Sequence, residues 1–348
     1  MKSFGLKALN SLILVSSLTV GSAYADNFVN AYFYDLDDAF ISNVDVALKE
    51  SAKHNNIILN INDAKNDADK QKEAIFSHNN SDPKIVNLVN VQDAKAVVDA
   101  AKKHNARVVF VNRQPDESVI KSYDKAWYVG SDAAASGKMQ ADLIARVLKE
   151  HPTFDKNKDG VINTILIKGQ KEHQDTILRS SNVIDELAAR KVNIKKIDEF
   201  YADFDKKKAV QLFSAALDRH PIHEIELVIC NNDAMALGVI QALNDNGFNV
   251  GKNNISLIDY QVGNKFVNYI PVFGIDAIPE AIDAIAEDKM EGTILNDYTR
   301  LAEASLAIAT ESDSSRQALT SKLQLKVSQD GFVDVPYKML SRIHDENQ

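Results

Sequence analysis

The segment of residues 155–163 carries oxygen-bearing side chains at the spacing of a calcium-binding loop. Asp155, Asn157, Asp159 and Asn163 occupy the first, third, fifth and ninth positions of the pattern, and Gly160 occupies the sixth, where the chain turns sharply. Carboxylate, amide and backbone oxygens are the ligands that Ca²⁺ takes in proteins. The spacing therefore suggests a metal site.

The twelfth position of the loop departs from this pattern. A helix-loop-helix calcium site needs a bidentate Glu there, but the residue is Leu166, inside an apolar run over residues 162–167 that is typical of a strand. Two interpretations follow. The segment is either an Asx-rich turn without metal, or a calcium loop that leads into a strand and takes its last carboxylate from elsewhere in the chain.

A second group of polar side chains follows the apolar runs of the chain. These residues are Asp35, Asp37, Asp38 and Phe40 after the first run, Asn112 and Arg113 after residues 108–111, His173, Asp175 and Arg179 after residues 162–169, Asn231, Asn232 and Asp233 after residues 227–230, Asp276 after residues 272–275, and Asn296 and Asp297 after residues 293–295. An Asp or Asn at one strand end is a common helix cap or turn residue. Helix capping and turn formation explain any one of these residues, but they explain less well why polar residues follow all of these apolar runs.

Carboxylates, amides and a guanidinium together suit a polyhydroxylated ligand, because a hydroxyl can donate to Asp and accept from Asn, Arg or His. Aromatic rings can cover the apolar C–H faces of a sugar, and Phe40 and Phe204 are candidates for that role. Taken alone, each Phe is more often a core residue.

The elements that would position these side chains alternate between short β-rich runs and longer amphipathic stretches. The pattern predicts strands over residues 28–34, 57–60, 85–89 and 108–111, separated by helices, one of them starting at Ala64. After residue 130 the alternation begins again and continues to residue 295. This rhythm predicts an α/β fold of two open, mostly parallel sheets, in which ligands bind beyond the carboxyl ends of the strands.

The first 25 residues have the features of a signal peptide. Lys2 and Lys7 lie before an apolar stretch over residues 8–20. Ala23 and Ala25 form a small-x-small site that predicts cleavage before Asp26. The stretch is too short to span a bilayer. We therefore predict an exported, periplasmic protein, and its single cysteine excludes an internal disulfide.

The charge of the chain argues against a nucleic-acid partner. The formal net charge is −9, and runs such as residues 206–208 are more typical of a solvated helix face than of a phosphate-binding patch. The length suggests about two domains.

The chain resembles the periplasmic galactose/glucose-binding proteins of bacterial sugar importers, and the matching segments follow one another in the same order. They are Ser122-Tyr123-Asp124-Lys125-Ala126, the loop over residues 155–163, Lys168-Gly169 with His173, Asp175 and Arg179, Asn231-Asn232-Asp233-Ala234-Met235-Ala236, Pro271-Val272-Phe273-Gly274-Ile275-Asp276-Ala277, Thr293-Ile294-Leu295-Asn296-Asp297, and Val335-Pro336-Tyr337. The resemblance covers nearly all of the mature chain.

The resemblance implies a set of sugar-binding residues. Hydrogen bonds would come from Asp38, Asn112, His173, Asp175, Arg179, Asn232, Asp276 and Asn296, and Phe40 would cover one face of the sugar ring. The other face is covered by Trp in this family, but Phe204 stands at that position here, which puts the preference between glucose and galactose in doubt. The only tryptophan, Trp127, matches a Tyr of the family and is predicted to be structural.

The resemblance also supplies the missing acid of the loop. In this family a distant Glu completes the calcium site, and the corresponding residue here is Glu226. The implied Ca²⁺ ligands are Asp155, Asn157, Asp159, Asn163 and Glu226 through their side chains and Val161 through its backbone carbonyl. Calcium would then be structural and would not act as a signal.

The implied architecture is a type I periplasmic binding protein: two similar Rossmann-like lobes joined by a hinge that the chain crosses three times. The predicted domains are a signal peptide over 1–25, an N-terminal lobe over 26–131 plus 297–333, and a C-terminal lobe over 132–296 plus 334–348. The implied partners are a monosaccharide and the membrane permease of an ABC importer, with a chemoreceptor as a further partner, and the protein is expected to be a monomer. Two segments depart from the family, a longer connection over residues 247–270 and residues 312–326.

Two other classes of protein agree less well with the sequence. A periplasmic glycosidase would need two acids among Asp38, Asp175 and Asp276 at a defined separation, with one pKa raised. However, Arg179 beside His173 and Asp175 suits a charged carboxylate better than a protonated one. A sugar-sensing regulator of the same fold would carry a DNA-binding helix-turn-helix where this chain has its signal peptide.

Overall fold

The structure is a computed structural model that describes residues 28–78, 80–252, 268–311 and 316–341. The predicted signal peptide and most of the 247–270 connection lie outside the described residues, as do residues 342–348 of the predicted C-terminal lobe. Among the helices that the structure describes, none is long and apolar enough to cross a membrane.

Within the described residues, the first sheet has seven strands in the order β11-β12-β5-β4-β3-β1-β2. The strands are β1 (Phe28–Phe33), β2 (Ile58–Asp63), β3 (Lys84–Val86), β4 (Val108–Val111), β5 (Ala126–Gly130), β11 (Lys326–Val327) and β12 (Phe332–Asp334). Neighbouring strands run parallel except for the antiparallel pair β11 and β12.

In the part of the chain that the structure describes, the second sheet has six strands in the order β13-β10-β9-β8-β6-β7. The strands are β6 (Ile162–Lys168), β7 (Ile194–Tyr201), β8 (Leu227–Cys230), β9 (Val272–Phe273), β10 (Gly292–Leu295) and β13 (Lys338–Ser341). Only β13 runs antiparallel to its neighbour. The prediction of two open α/β sheets is therefore confirmed.

The helices lie between the strands along the chain. They are α1 (Ala39–His54), α2 (Ala68–Ser77), α3 (Ala94–Lys103), α4 (Glu117–Lys121), α5 (Ala133–Glu150), α6 (Gln174–Ala189), α7 (Lys206–Leu217), α8 (Asp233–Asp245), α9 (Pro279–Ala286), α10 (Tyr298–Thr310) and α11 (Arg316–Leu323). The predicted helix start at Ala64 is wrong. Lys65 and Asn66 have positive φ angles, and Asp67 caps the helix three residues later than Ala64, because residues in the left-handed region cannot continue a right-handed helix.

Both faces of each sheet are covered. Along β4, Val109 and Val111 belong to one apolar cluster, whereas Val108 and Phe110 belong to another. This alternation follows from the two-residue period of a strand, and it explains why the strand sequences are apolar without interruption. Trp127 is buried in the first of these clusters, as its predicted structural role requires.

The chain moves between the sheets three times. It leaves the first sheet after β5, returns after β10, and crosses again between β12 and β13. The crossing segments touch one another, since Ser131 Oγ donates to Asn296 Oδ1 at 3.2 Å and Val335 N donates to Gly130 O at 2.9 Å. The domain boundaries at residues 131, 296 and 333 stay a prediction.

Candidate functional site

A cleft between the two sheets collects side chains from the carboxyl ends of strands in both of them. Its empty space amounts to about 340 Å³, counting the solvent at its mouth. The lining residues are Tyr34, Asp38, Phe40, Ile41, Asn112, Arg113, His173, Asp175, Arg179, Phe204, Asn232 and Asp276. We refer to this space as the central pocket.

The central pocket brings together every predicted sugar-binding residue except Asn296. Asn296 lies directly behind the pocket, where its Nδ2 donates to Asp276 Oδ1 at 3.4 Å and its Oδ1 accepts from Ser131. It therefore orients Asp276 and links it to a crossing segment. The roles of all these residues in ligand binding stay a prediction.

Asp38 enters the pocket from the N-terminus of α1. Its Oδ1 accepts from the backbone N–H of Ile41 at 2.9 Å and so caps the helix, and its Oδ2 accepts from Tyr34 Oη at 2.5 Å. Burial raises the pKa of Asp38, although the hydrogen bonds from Tyr34 and Ile41 oppose that shift. The carboxylate is thereby held in one orientation.

Arg113 is a pocket residue that the sequence reasoning left out of the site. Its guanidinium stacks over the ring of Tyr34, 3.8 Å from the ring centroid, and its Nη1 donates to Val89 O at 2.8 Å. Its Nη2 crosses the cleft and donates to Gln170 Oε1 of the second lobe at 3.1 Å. The signal in the sequence was its place after β4, next to Asn112.

Asn112 has a φ of 64°, a conformation that Asn adopts more readily than most residues. Its Oδ1 accepts from Asn87 Nδ2 at 3.3 Å, and its backbone carbonyl accepts from Tyr128 Oη at 2.8 Å. The first contact holds the side-chain amide and the second holds the backbone at the edge of the pocket.

Arg179 is the central cation of the second lobe. Its side chain is 3% exposed and lies 3.0 Å from Asp175 Oδ2 and 3.7 Å from Asp276 Oδ1. It also donates to Asn231 O at 2.8 Å and to Tyr337 Oη at 3.3 Å. Burial raises the pKa of Asp276 well above its usual range, and the guanidinium opposes this shift.

His173 caps α6 and is held in one tautomer. Its Nδ1 accepts from the backbone N–H of Asp175 at 3.1 Å, so the proton of the neutral ring is on Nε2. Burial lowers the pKa of His173 to about 4, against the opposing effect of the Asp175 carboxylate. The ring is therefore neutral at physiological pH and offers one N–H donor.

Phe204 and Asn232 are two residues of the second lobe that line the central pocket. The Phe204 ring meets the His173 ring edge to face at a centroid distance of 5.2 Å, and Asn232 Oδ1 caps α8 by accepting from Met235 N at 3.0 Å. A Cβ atom on Gly169 would lie 2.1 Å from the Phe204 ring. Glycine at that position is thus what lets the ring occupy its place.

The predicted calcium loop has the turn geometry that the sequence suggested. Gly160 has a φ of 79°, Asp155 Oδ2 accepts from Gly160 N at 2.9 Å, and Asp159 Oδ1 accepts from Val161 N at 2.8 Å. Asp155 Oδ1 is buried and has no hydrogen-bond partner. A buried oxygen left in this way fits a donor set that would hold a cation.

Glu226 lies against the loop, as the resemblance implied. It is 1% exposed, its Oε1 accepts from Lys156 N at 2.7 Å, and its Oε2 accepts from Asn163 N at 2.8 Å. Within the described ranges, no three His, Cys, Asp or Glu side chains are grouped so that they could hold a metal ion. The calcium assignment stays a prediction.

Comparison with known proteins gives the family. A family model for the periplasmic binding protein domain matches residues 32–312. The D-galactose/methyl-galactoside binding periplasmic protein of Haemophilus influenzae is 32% identical over 329 residues, which cover 92% of this chain and 92% of that protein. The ribose import binding protein of Escherichia coli is 26% identical over 295 residues, covering 83% of this chain and 86% of that protein.

Solved structures share the fold. An ABC transporter solute-binding protein of Bacillus halodurans with bound myo-inositol has a TM-score of 0.66 at 23% identity, over 91% of this chain and 94% of that one. A periplasmic solute-binding protein of Actinobacillus succinogenes with bound D-allose has a TM-score of 0.69 at 18% identity, over 90% and 97% of the two chains. The family match over most of its length and the relative at 32% identity show that this chain belongs to the periplasmic binding protein family.

Proposed function

We propose that the protein is the solute-binding component of an ABC sugar importer, and that it captures glucose, galactose or both in the central pocket. The observation that carries this proposal is the convergence of carboxylate, amide and guanidinium groups from both lobes on one small space. The names of the relatives, which include galactose-binding and ribose-binding import proteins, support the same class of ligand.

The groups of the pocket are complementary to a pyranose. Carboxylates can accept from sugar hydroxyls, and the guanidinium, the two amides and the imidazole Nε2 can donate to them. The donors and acceptors are Asp38, Asn112, His173, Asp175, Arg179, Asn232 and Asp276, supported by Asn296. Phe40 and Phe204 would cover the two apolar faces of the ring.

The proposed mechanism is closure of a clamp. Asp38 and Asn112 belong to one lobe, whereas Asp175, Asn232 and Asp276 belong to the other, so only the closed arrangement lets both sets meet one sugar. A ligand that binds the closed state more tightly shifts the population toward it. The permease, and a chemoreceptor if one is used, would distinguish the closed form from the open one.

The chain is a binding protein and not an enzyme, because the family and the named relatives are binding proteins. Membership of the family also implies a periplasmic location. We propose further that a signal peptide is removed before Asp26 and that the mature protein is a monomer. Mass spectrometry of protein isolated from the periplasm would give the N-terminal residue, and any start other than Asp26 would correct the cleavage site.

Titration calorimetry tests the sugar proposal. We expect heat from glucose or galactose with the parent protein, and a loss of affinity of roughly tenfold or more when Asp175→Asn or Asn232→Ala removes a polar group from a buried pocket. Asp99→Asn, on the exposed face of α3, is the control and should bind like the parent. Absence of heat with both sugars would refute the assignment, and binding of ribose or inositol instead would correct the sugar while keeping the class.

We also propose that the loop over residues 155–163 binds one structural Ca²⁺. Asp155, Asn157, Asp159, Asn163 and Glu226 would provide side-chain oxygens, and Val161 would provide its carbonyl. Glu226 lies one residue before β8, and the loop precedes β6. A cation held by both segments would fasten the starts of two neighbouring strands of the second sheet.

Thermal unfolding with and without chelator tests the metal. A cation at a hundred times its Kd stabilises the folded state by about 2.7 kcal/mol, so chelator should lower the Tm of the parent and calcium should restore it. Glu226→Gln weakens the backbone contacts whether or not metal binds, so the deciding quantity is the chelator-dependent difference in Tm. That difference should vanish in Glu226→Gln and persist in Glu224→Gln, an exposed neighbour. A parent protein indifferent to chelator would end the proposal.

A further inference from the structure

A hydrogen bond between side chains joins the two lobes beside the central pocket, away from the three crossings. Arg113 follows β4 of the first sheet, and its Nη2 donates at 3.1 Å to Oε1 of Gln170, which follows β6 of the second sheet. Arg113 lines the central pocket, but Gln170 does not. Gln170 therefore reaches the pocket through Arg113.

The first lobe holds Arg113 in place with contacts of its own. Arg113 is 7% exposed, its Nη1 donates to Val89 O at 2.8 Å, and its guanidinium lies 3.8 Å from the centroid of the Tyr34 ring. Tyr34 Oη in turn donates to Asp38 Oδ2 at 2.5 Å. These contacts all lie within one lobe, so they do not depend on closure, and they leave Nη2 for an acceptor on the second lobe.

The second lobe carries Gln170 on the same turn as a predicted sugar-binding residue. The backbone carbonyl of Gln170 accepts from His173 N at 3.1 Å, within the turn between β6 and α6. The His173 side chain lines the central pocket. A movement of the lobes that brings His173 to a bound sugar therefore also brings Gln170 to Arg113.

From this arrangement we propose, on the basis of the sugar-binding function proposed above, that Gln170 is a positioning residue that raises the affinity for sugar without contacting it. Its bond with Arg113 joins the two lobes, so it forms only when they close. A contact confined to the closed state raises the population of that state and lowers the apparent Kd of a ligand that the closed state holds. The bond also completes a chain of contacts that runs from the second lobe through Arg113 and Tyr34 to Asp38.

Calorimetry and stopped-flow kinetics with glucose and galactose test this role. Gln170→Ala removes the acceptor, so the Kd should rise by about fivefold, mainly through faster dissociation of the sugar. Gln170→Glu keeps an acceptor and adds a charge opposite to that of the guanidinium, so it should bind sugar at least as tightly as the parent. Gln170→Lys places a second cation there and should bind more weakly than Gln170→Ala.

Thermal unfolding separates positioning from a structural role. Because the bond with Arg113 joins the lobes and lies within neither of them, the Tm of the sugar-free protein should be the same in Gln170→Ala and in the parent. The control is Gln92→Ala, an exposed glutamine on the first-lobe side of the cleft, which should match the parent in both Kd and Tm.

The outcomes distinguish the role of Gln170 from the function on which it rests. If neither sugar binds the parent, the proposed function fails and the role of Gln170 fails with it. If sugar binds the parent and Gln170→Ala equally well, or if Gln170→Glu binds as weakly as Gln170→Ala, the role of Gln170 is wrong while the function stands. A weaker binding of Gln170→Ala that came with a lower Tm of the sugar-free protein would instead make Gln170 a structural residue of its lobe.

Discussion

Replacing Arg179 by methionine is the most informative perturbation of the central pocket. The change removes a buried cation but keeps most of the apolar volume of the side chain. Arg179 is 3% exposed and lies 3.0 Å from Asp175 and 3.7 Å from Asp276. Asp276 would remain buried and Asp175 partly buried without their partner, and breaking a buried ion pair in this way costs about 3–5 kcal/mol. Arg190→Met, whose ion pairs with Asp142 and Glu186 are part-exposed, should cost no more than about 1 kcal/mol.

The pH dependence of this loss follows from the state of Asp276. Burial raises the pKa of Asp276 in the parent, and the guanidinium of Arg179 opposes the rise. Without the guanidinium the folded-state pKa climbs further above the unfolded value. A carboxyl pKa that is higher in the folded state than in the unfolded state lowers the free energy of unfolding at pH values above the unfolded-state pKa. The loss becomes smaller as the pH falls through the folded-state pKa. The destabilisation by Arg179→Met should therefore be larger near neutral pH than in acid.

Urea unfolding followed by circular dichroism at several pH values measures both effects. Adding Asp276→Asn to Arg179→Met removes one of the stranded charges and should recover part of the lost stability at neutral pH. Three results would contradict a buried ion pair of Arg179 with Asp276: a loss of stability in Arg179→Met no greater than in Arg190→Met, a loss that grew in acid, or a double variant less stable than Arg179→Met alone.

Two further predictions concern the ring pair of the second lobe. The pKa of His173 is about 4 in the folded state and about 6.5 in the unfolded state, so His173 should destabilise the folded protein as the pH falls from about 6.5 toward 4. The free energy of unfolding of His173→Gln should therefore depend less on pH over that window. An NMR titration in which the His173 ring of the parent protein became protonated near pH 6.5 would contradict this prediction. Gly169→Ala would place a Cβ 2.1 Å from the Phe204 ring, so the ring must move and sugar affinity should fall by about tenfold in calorimetry; an unchanged affinity would show that Phe204 does not contact the sugar.

The sheets and their ends could be predicted from the sequence because strand composition is a local signal. The apolar runs at residues 108–111, 162–168 and 227–230 are the observed strands β4, β6 and β8. The polar residues that follow them meet in the cleft because parallel strands present their carboxyl ends at one edge. The start of α2 was not predictable in the same way, since the left-handed conformation of Lys65 has no signal in its residue type, and Asn66, whose type adopts that conformation more readily, is also compatible with a helix.

The contacts between distant residues could not be read from the sequence. The stacking of Arg113 on Tyr34 and its bond to Gln170 depend on how two lobes close, and neither residue type nor spacing encodes that distance. Asn296 illustrates a different limit. It follows its strand as the other site residues do, but its side chain donates to Asp276, which pairs with the preceding Leu295, and it does not line the pocket.

The three crossings between the sheets have a consequence for the order of folding. The first sheet gains β11 and β12, and the second gains β13, only from residues 326–341. A chain that is synthesised from its N-terminus can therefore complete neither sheet until residues 326–341 are present. β12 pairs with β5, about two hundred residues earlier, and β13 pairs with β10, a few dozen residues earlier. Such distant pairings slow folding. Late completion of the sheets would keep the chain unfolded for longer during transport across the inner membrane. A chain truncated before β11 would leave the edges of β5 and β10 without the strands that pair with them.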